Sequence, residues 1–119
     1  MSALATTLVF LVALLHLYFL VLEMFLWTRP LGLKVFRQSR EKAEQSKVLA
    51  ANQGLYNGFL AAGLIYGVAT GSREFELFFL ACVIAAGVYG AATVNRRIFF
   101  VQAVPALLAV AALLAACFR

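Results

Sequence analysis

Four long, uninterrupted apolar runs restrict this 119-residue chain to one class of protein. The runs cover residues 4–27, 48–70, 75–94 and 98–118. Hydrophobic residues make up 65% of the chain and charged residues only 13%, whereas an ordinary soluble domain is about half apolar. A helix needs roughly 20 residues to cross a hydrocarbon core about 30 Å thick, so each run is long enough to span a bilayer. Strands of a membrane barrel would alternate in polarity instead, so we predict helices.

We therefore predict an all-α fold, an integral membrane four-helix bundle that forms a single domain over residues 1–119. The expected helices cover residues 4–27, 40–70, 75–95 and 98–118. The second helix is expected to begin before its apolar run, because Ser39 suits the N-cap and Glu41 suits the first turn. The mixed segment 31–38 could lie flat on the membrane surface or form an ordinary loop.

The basic residues are sorted by loop, which predicts an orientation. Eight of the ten Lys and Arg residues fall in the segment 28–47 or in the short link that holds Arg96 and Arg97. Both segments lie on the same side of a four-span topology. The positive-inside rule then places both termini outside and the two basic loops in the cytoplasm. Basic loops beside the membrane favour anionic lipid headgroups as partners rather than nucleic acid.

Small residues on the second helix predict close helix packing. Residues 54–58 and 63–67 form two Gly-x-x-x-Gly pairs, GLYNG and GLIYG. Such pairs let another backbone approach closely, either the third helix or a second copy of the chain. In the last helix, Pro105 should kink the helix or leave carbonyl groups free near Gln102.

Glu23 is the residue that most needs an explanation, because it lies in the first apolar run, seven residues after His16. An ionisable side chain at bilayer depth is costly, so it is expected to face the bundle interior and to serve a function. Polar residues of the other helices fall in the same cytoplasmic layer. We predict a cytoplasm-facing ligand-binding pocket formed by Glu23, His16, Asn52, Gln53, Tyr56, Asn57, Tyr89 and Gln102.

The spacing of these residues restricts the chemistry of the pocket. Asn52 and Tyr56 are four residues apart, as are Gln53 and Asn57, so each pair shares one side of the helix. His16 and Glu23 would be about 10.5 Å apart along the axis, too far to hold one metal ion comfortably. No metal site, cofactor or catalytic residue is predicted, since the chain has none of the usual hydrolase or nucleotide-binding motifs. The alternative for the amides and hydroxyls is a purely structural role between helices.

Three strings identify the chain as similar to a known family. HLYFLVLEMFLWTRPLGLKVF, KVLAANQGLYNGFLAAGLIYG and CVIAAGVYGAATVNRRIFFVQAVPALLA resemble the small bacterial four-helix membrane proteins of domain-of-unknown-function family thirteen hundred and four. The resemblance runs from about His16 to Ala109. It implies a fold and an inner-membrane location, but no activity.

A weaker similarity is to the glutathione-using and eicosanoid-forming membrane enzymes, which also have four helices. KVLAANQGLYN is similar to their second-helix pattern of a basic residue, an Asn and then a Glu. Here Tyr56 or Asn57 stands where that Glu would be, and no Arg occurs in residues 48–51. That difference argues against thiol conjugation.

Three functions are therefore open. The first is binding or transport of a small molecule, a lipid headgroup or a proton around Glu23. Because four helices are few for a transporter, that function favours a homo-oligomer. The second is an enzyme of the glutathione-using type, and the third is a structural membrane subunit.

Overall fold

The structure, a computed structural model, describes residues 2–117. These residues contain helices and no β-strand, so the predicted all-α fold is confirmed. The elements in chain order are α1 (Ala3–Met24), α2 (Pro30–Val35), α3 (Arg40–Thr70), α4 (Arg73–Thr93), a π-helical turn (Phe99–Ala103) and α5 (Val104–Cys117).

Three of the described helices are long and apolar enough to cross a membrane: Ala3–Met24, Arg73–Thr93 and Phe99–Cys117, which joins the π turn to α5. Little of the most apolar 18-residue segment of each helix is buried within the protein: 28%, 22% and 22%, in the same order. Large apolar side chains therefore face outward, as Phe78 and Leu108 do with 64% and 56% of their surface exposed. Such a surface is compatible with contact with lipid.

The chain divides into two compact units. A discontinuous unit comprises Met1–Leu14 and Leu60–Arg119, and a continuous unit comprises Leu15–Phe59. The discontinuous unit has a core of small and branched apolar residues, to which α1, α3, α4 and α5 each contribute. These buried residues include Ala5, Val9, Val12, Ala61, Leu64, Leu80, Val83, Ala106, Ala109 and Leu113.

A two-residue turn connects α3 to α4 in the discontinuous unit. Gly71 has φ +68°, the left-handed conformation in which a residue without Cβ is favoured. The amides of Gly71 and Ser72 donate to the carbonyls of Val68 and Gly67, at 3.3 and 2.8 Å, which closes the end of α3 in a Schellman motif. Ser72 then caps α4, because its hydroxyl accepts a hydrogen bond from the Phe75 amide at 3.3 Å.

The π-helical turn packs against α4 and leads directly into α5. The Val104 amide bonds to the carbonyl of Phe99, five residues earlier, so the turn is wider than an α-helical one. Pro105 explains this widening, because proline has no amide hydrogen and its ring crowds the carbonyl four residues before it. The local disturbance that Pro105 predicts near Gln102 is thus a π turn.

In the continuous unit, the segment after α1 folds into the short helix α2. Pro30 lies in the first turn of α2, where its missing amide hydrogen is tolerated. The helix ends in a second Schellman motif, with Arg37 at φ 50° and the Gln38 amide bonded to the Leu33 carbonyl at 3.1 Å. The segment thus forms a short helix over Pro30–Val35, and its place on the membrane surface stays a prediction.

Ser39 defines the start of α3, and two glycine pairs allow this helix to pack closely against its neighbours. Ser39 caps α3 as expected, since its hydroxyl accepts from the Lys42 amide at 3.2 Å. In the continuous unit, Gly54 and Gly58 face Leu20, Glu23 and Met24 of α1. In the discontinuous unit, Gly63 and Gly67 face Phe75, Glu76 and Phe79 of α4. The first glycine pair thus packs against α1 and the second packs against α4.

Candidate functional site

Glu23 lies near the end of α1, is only 3% exposed and accepts two hydrogen bonds from α3. Nε2 of Gln53 donates to Oε2 of Glu23 at 2.9 Å, and Nδ2 of Asn57 donates to Oε1. The two amides reach one carboxylate because residues four apart lie on the same side of a helix. Glu23 is thus buried and hydrogen-bonded to two polar residues of α3, and that it belongs to a ligand-binding pocket stays a prediction.

Gly54 allows α3 to come close enough to α1 for these hydrogen bonds. A Cβ atom added at Gly54 would lie 3.1 Å from Cβ of Glu23 and 3.3 Å from the carbonyl oxygen of Leu20. It would also lie 2.7 Å from Cγ of Met24. There is therefore no room for a side chain at this point of contact, and the small residue positions the carboxylate within reach of the amides.

The second predicted pair on α3 lies on a different side of the helix. Asn52 is exposed, and Tyr56 is 56% exposed with its ring tilted against Phe59. Successive residues are about 100° apart around a helix of 3.6 residues per turn, so Asn52 and Tyr56 lie about 140° and 100° from the buried Asn57. His16 is fully buried and packs edge-on against Phe19, with ring centroids 5.4 Å apart.

The last two predicted site residues belong to the discontinuous unit. Tyr89 is 72% exposed and lies on α4, where its carbonyl accepts a hydrogen bond from the Thr93 hydroxyl at 2.7 Å. Gln102 is half-buried on the π-helical turn. That either shares a pocket with Glu23 stays a prediction.

A cavity of about 360 Å³ opens beside Glu23 in the continuous unit. One acidic and one basic side chain line it together with a hydroxyl, an indole and several apolar groups. The lining residues are Glu23, Met24, Phe25, Trp27, Thr28, Lys47, Val48 and Ala51. Of the eight residues that the sequence predicted for the pocket, Glu23 is the one that lines this cavity.

Trp27 is fixed in position at the edge of this cavity. Its indole nitrogen donates to the hydroxyl of Ser46 at 3.1 Å, and that hydroxyl donates to the Lys42 carbonyl at 2.8 Å. The indole also packs against Phe36, with ring centroids 4.7 Å apart. These contacts connect the end of α1 to α2 and to the first turns of α3.

Lys47 supplies the positive charge of the cavity. Its ammonium group lies 3.1 Å from the Glu44 carboxylate, and the two side chains are 58% and 48% exposed. An exposed ion pair of this kind contributes little, about 0–1 kcal/mol, so the ammonium group is available to an anionic ligand at small cost. The Glu23 carboxylate uses two of its roughly four acceptor positions on amides and has others for a ligand donor. The cavity therefore offers an acceptor and a cation to the same ligand.

Sequence reasoning missed the other seven lining residues: Met24, Phe25, Trp27, Thr28, Lys47, Val48 and Ala51. The signal that could have found the α3 residues is the spacing of small residues along that helix. Ala43, Ala50 and Asn57 are buried and seven residues apart, which marks the side of α3 that faces inward. No group of three or more His, Cys, Asp or Glu side chains that could hold a metal ion occurs within residues 2–117.

Comparison with known proteins places the chain in a family. The family model described as "Protein of unknown function (DUF1304)" matches residues 10–114. An uncharacterized protein YpaA of Lactococcus lactis subsp. lactis (strain IL1403) is 36% identical over 113 residues, which cover 92% of this chain and 95% of that protein. No solved structure gives a significant match. By the extent of both matches, the chain belongs to the DUF1304 family of proteins of unknown function.

Proposed function

We propose that this chain is a multi-pass protein of the bacterial cytoplasmic membrane that binds a zwitterionic lipid headgroup in the cavity beside Glu23. Both termini lie outside and both basic loops in the cytoplasm. Three apolar helices of spanning length support the membrane location. α3 provides the fourth span, because its 31 residues extend over about 46 Å and exceed a core about 30 Å thick.

Two polar residues in the middle of α3 have partners within the protein, which favours a span. Gln53 and Asn57 donate to Glu23, so the buried carboxylate and these two amide donors are hydrogen-bonded within the protein. The more polar first turns of α3, which hold Arg40, Glu41 and Lys42, would then extend into the cytoplasm.

The composition of the cavity favours a ligand that carries both charges. Glu23 would accept hydrogen bonds from a primary ammonium group, and Lys47 would approach a phosphate. In phosphatidylethanolamine these two groups are joined by a short linker. Trp27 and Lys47 are residue types that lie at the headgroup level of a bilayer, which is where such a ligand would be. The apolar lining residues Met24, Phe25 and Val48 would contact the upper part of the acyl chains.

The observation that carries this proposal is the joint presence of Glu23 and Lys47 in one cavity at the end of an apolar helix. A proton alone would need neither the cavity nor the lysine. A soluble anion would have no use for the carboxylate. The headgroup accounts for both charges and for the apolar lining.

Native mass spectrometry of the purified protein, exchanged into equal amounts of phosphatidylethanolamine, phosphatidylcholine and phosphatidylglycerol, tests the proposal. We expect preferential retention of phosphatidylethanolamine, because the choline ammonium cannot donate a hydrogen bond and glycerol carries no cation. Glu23→Gln should weaken this retention by about tenfold or more, since hydrogen bonds to charged groups contribute about 1.5–3 kcal/mol and every 1.4 kcal/mol is tenfold.

Glu41→Gln is the matched control, because it removes the same charge from an exposed position of α3 that does not line the cavity. It should retain the lipid as the wild type does. Equal retention of the three lipids by the wild-type protein would overturn the proposal. So would unchanged retention by a folded Glu23→Gln variant, which would instead favour a structural membrane subunit.

A further inference from the structure

A second acidic side chain is buried in this protein, far along the chain from Glu23. Glu76 lies in the first turns of α4 and is 0% exposed. It belongs to the discontinuous unit and shares the buried side of α4 with Leu80 and Val83. Its position in the first turn, near the positive end of the helix dipole, favours an acidic side chain but does not require burial.

Neither carboxyl oxygen of Glu76 has a hydrogen-bond partner among the described residues. This differs from Glu23, whose two oxygens both accept from amides. An ionised carboxylate that has lost water and gained no donor is strongly disfavoured. A neutral carboxyl group avoids most of that cost, because its hydroxyl and carbonyl lose much less hydration.

The backbone of α3 covers the side chain of Glu76 at close range. A Cβ atom added at Gly67 would lie 2.8 Å from Cγ of Glu76 and 3.1 Å from its backbone nitrogen. The glycine therefore makes the space that the acidic side chain occupies. An apolar residue would fill this space without the cost of burying a polar group, so the acid is not explained by packing.

Few charged groups surround Glu76. Among the described residues, Arg73, one turn earlier on α4, is the charged side chain that acts on it. No ion pair joins Glu76 to another side chain within residues 2–117. Arg73 donates from Nη1 to Sγ of Cys117 on α5 at 3.1 Å instead. Glu74 is exposed, α3 presents Gly67, and Arg96 and Arg97 follow the far end of α4, about 30 Å away at 1.5 Å per residue.

We propose that Glu76 is a proton-binding site, a carboxyl group that is neutral at neutral pH and exchanges its proton with water at the α3–α4 end of the discontinuous unit. The exchange is a simple dissociation, in which the carboxyl O–H bond breaks and the proton passes to water. Ionisable groups of this kind within membrane helices commonly take part in proton transfer. The site is distinct from the headgroup cavity and does not depend on it.

Infrared spectroscopy of the protein in liposomes at neutral pH tests this inference. The wild-type spectrum should contain the C=O stretch of a protonated carboxyl group, and the difference spectrum between the wild type and Glu76→Gln should contain such a band. Glu74→Gln is the matched control two residues away, and its protonated-carboxyl band should equal that of the wild type. An unchanged band in a folded Glu76→Gln variant overturns the inference.

Labelling of the wild-type protein by dicyclohexylcarbodiimide decides the question if Glu76→Gln does not fold. This apolar reagent adds a protonated carboxyl group across its C=N bond and rearranges to a stable N-acylurea, with no atom lost. We expect the Glu76 peptide to gain the mass of one reagent molecule, at a rate that falls as the pH is raised. Label on Glu74 alone, no label, or protection by Na⁺ at constant pH and ionic strength would overturn the inference. Protection by Na⁺ would indicate a cation site instead.

Discussion

At the scale of single residues, Gly71 shows most clearly how one position controls the local structure. Its φ of +68° is costly for other residues, while a Cβ atom added there would meet nothing within 4 Å. Gly71→Ala should therefore destabilise the protein through the backbone alone, by about 1–2 kcal/mol. Thermal unfolding in detergent measures this loss. Gly71→Asn, which tolerates the left-handed conformation better, should cost less, and equal melting temperatures for the wild type and the alanine variant would contradict the account.

The residues around Glu23 show what could be predicted at this scale. The cost of a carboxylate in an apolar helix pointed to burial, and the spacing of four pointed to Gln53 and Asn57. The same spacing applies to Asn52 and Tyr56, both of which are exposed, whereas the other pair includes the buried Asn57. Polar spacing alone does not reveal which side of α3 faces α1. The missing criterion was the size of the residues between them, since Gly54 marks the side that touches α1.

At the scale of helices, the first glycine pair of α3 contacts α1 unequally. An added Cβ at Gly54 would lie 3.3 Å from a backbone oxygen of α1, whereas at Gly58 its nearest atom is the flexible end of Leu20, at 2.7 Å. A side-chain methyl can move but a helix backbone cannot do so cheaply. Gly54→Ala should thus cost about 1–3 kcal/mol, the usual range for overpacking, and more than Gly58→Ala. Unfolding in detergent measures both, and an equal or reversed order would contradict this contact geometry.

The sequence predicted where the long helices lie, but it did not predict the form of the irregular segments between and within them. The apolar runs indicated long helices, and Ser39 indicated where α3 begins. Pro105 indicated a disturbance in the last helix but not its form, because a kink and a π turn both relieve the crowding that proline causes. The structure contains the π turn Phe99–Ala103. The short helix α2 was not specifically predicted, since six residues carry too little periodicity to separate a helix from a loop.

At the scale of the whole molecule, the membrane topology follows from the sorting of the basic residues. A reporter inserted near Gln38 should be cytoplasmic, and one fused after Arg119, which lies outside the described residues, should be external. Alkaline phosphatase and green fluorescent protein fusions in bacterial cells make this comparison. The reverse pattern, or both reporters on one side, would contradict the four-span proposal, in which α3 crosses the membrane despite its polar centre.

The all-α fold could be predicted from the four apolar runs because length and continuity alone determine it. The division into two compact units could not, since it depends on contacts that composition does not encode. The same reason applies to the site. Glu23 could be predicted because a carboxylate in an apolar helix is energetically costly. Lys47 and Trp27 lie beside it only because of the way the connection between α1 and α3 folds.

The central claim is that an ammonium group of a lipid binds at Glu23. Solid-state nuclear magnetic resonance in liposomes tests it most directly, with isotope labels on the ethanolamine nitrogen and on the glutamate side-chain carboxyl carbons. The chain has five acidic residues, all of them glutamate, so comparison with Glu23→Gln assigns the signal. We predict a through-space correlation between the headgroup nitrogen and the Glu23 carboxyl carbon, lost in that variant. A headgroup nitrogen that shows no correlation with Glu23 at saturating lipid would contradict the claim.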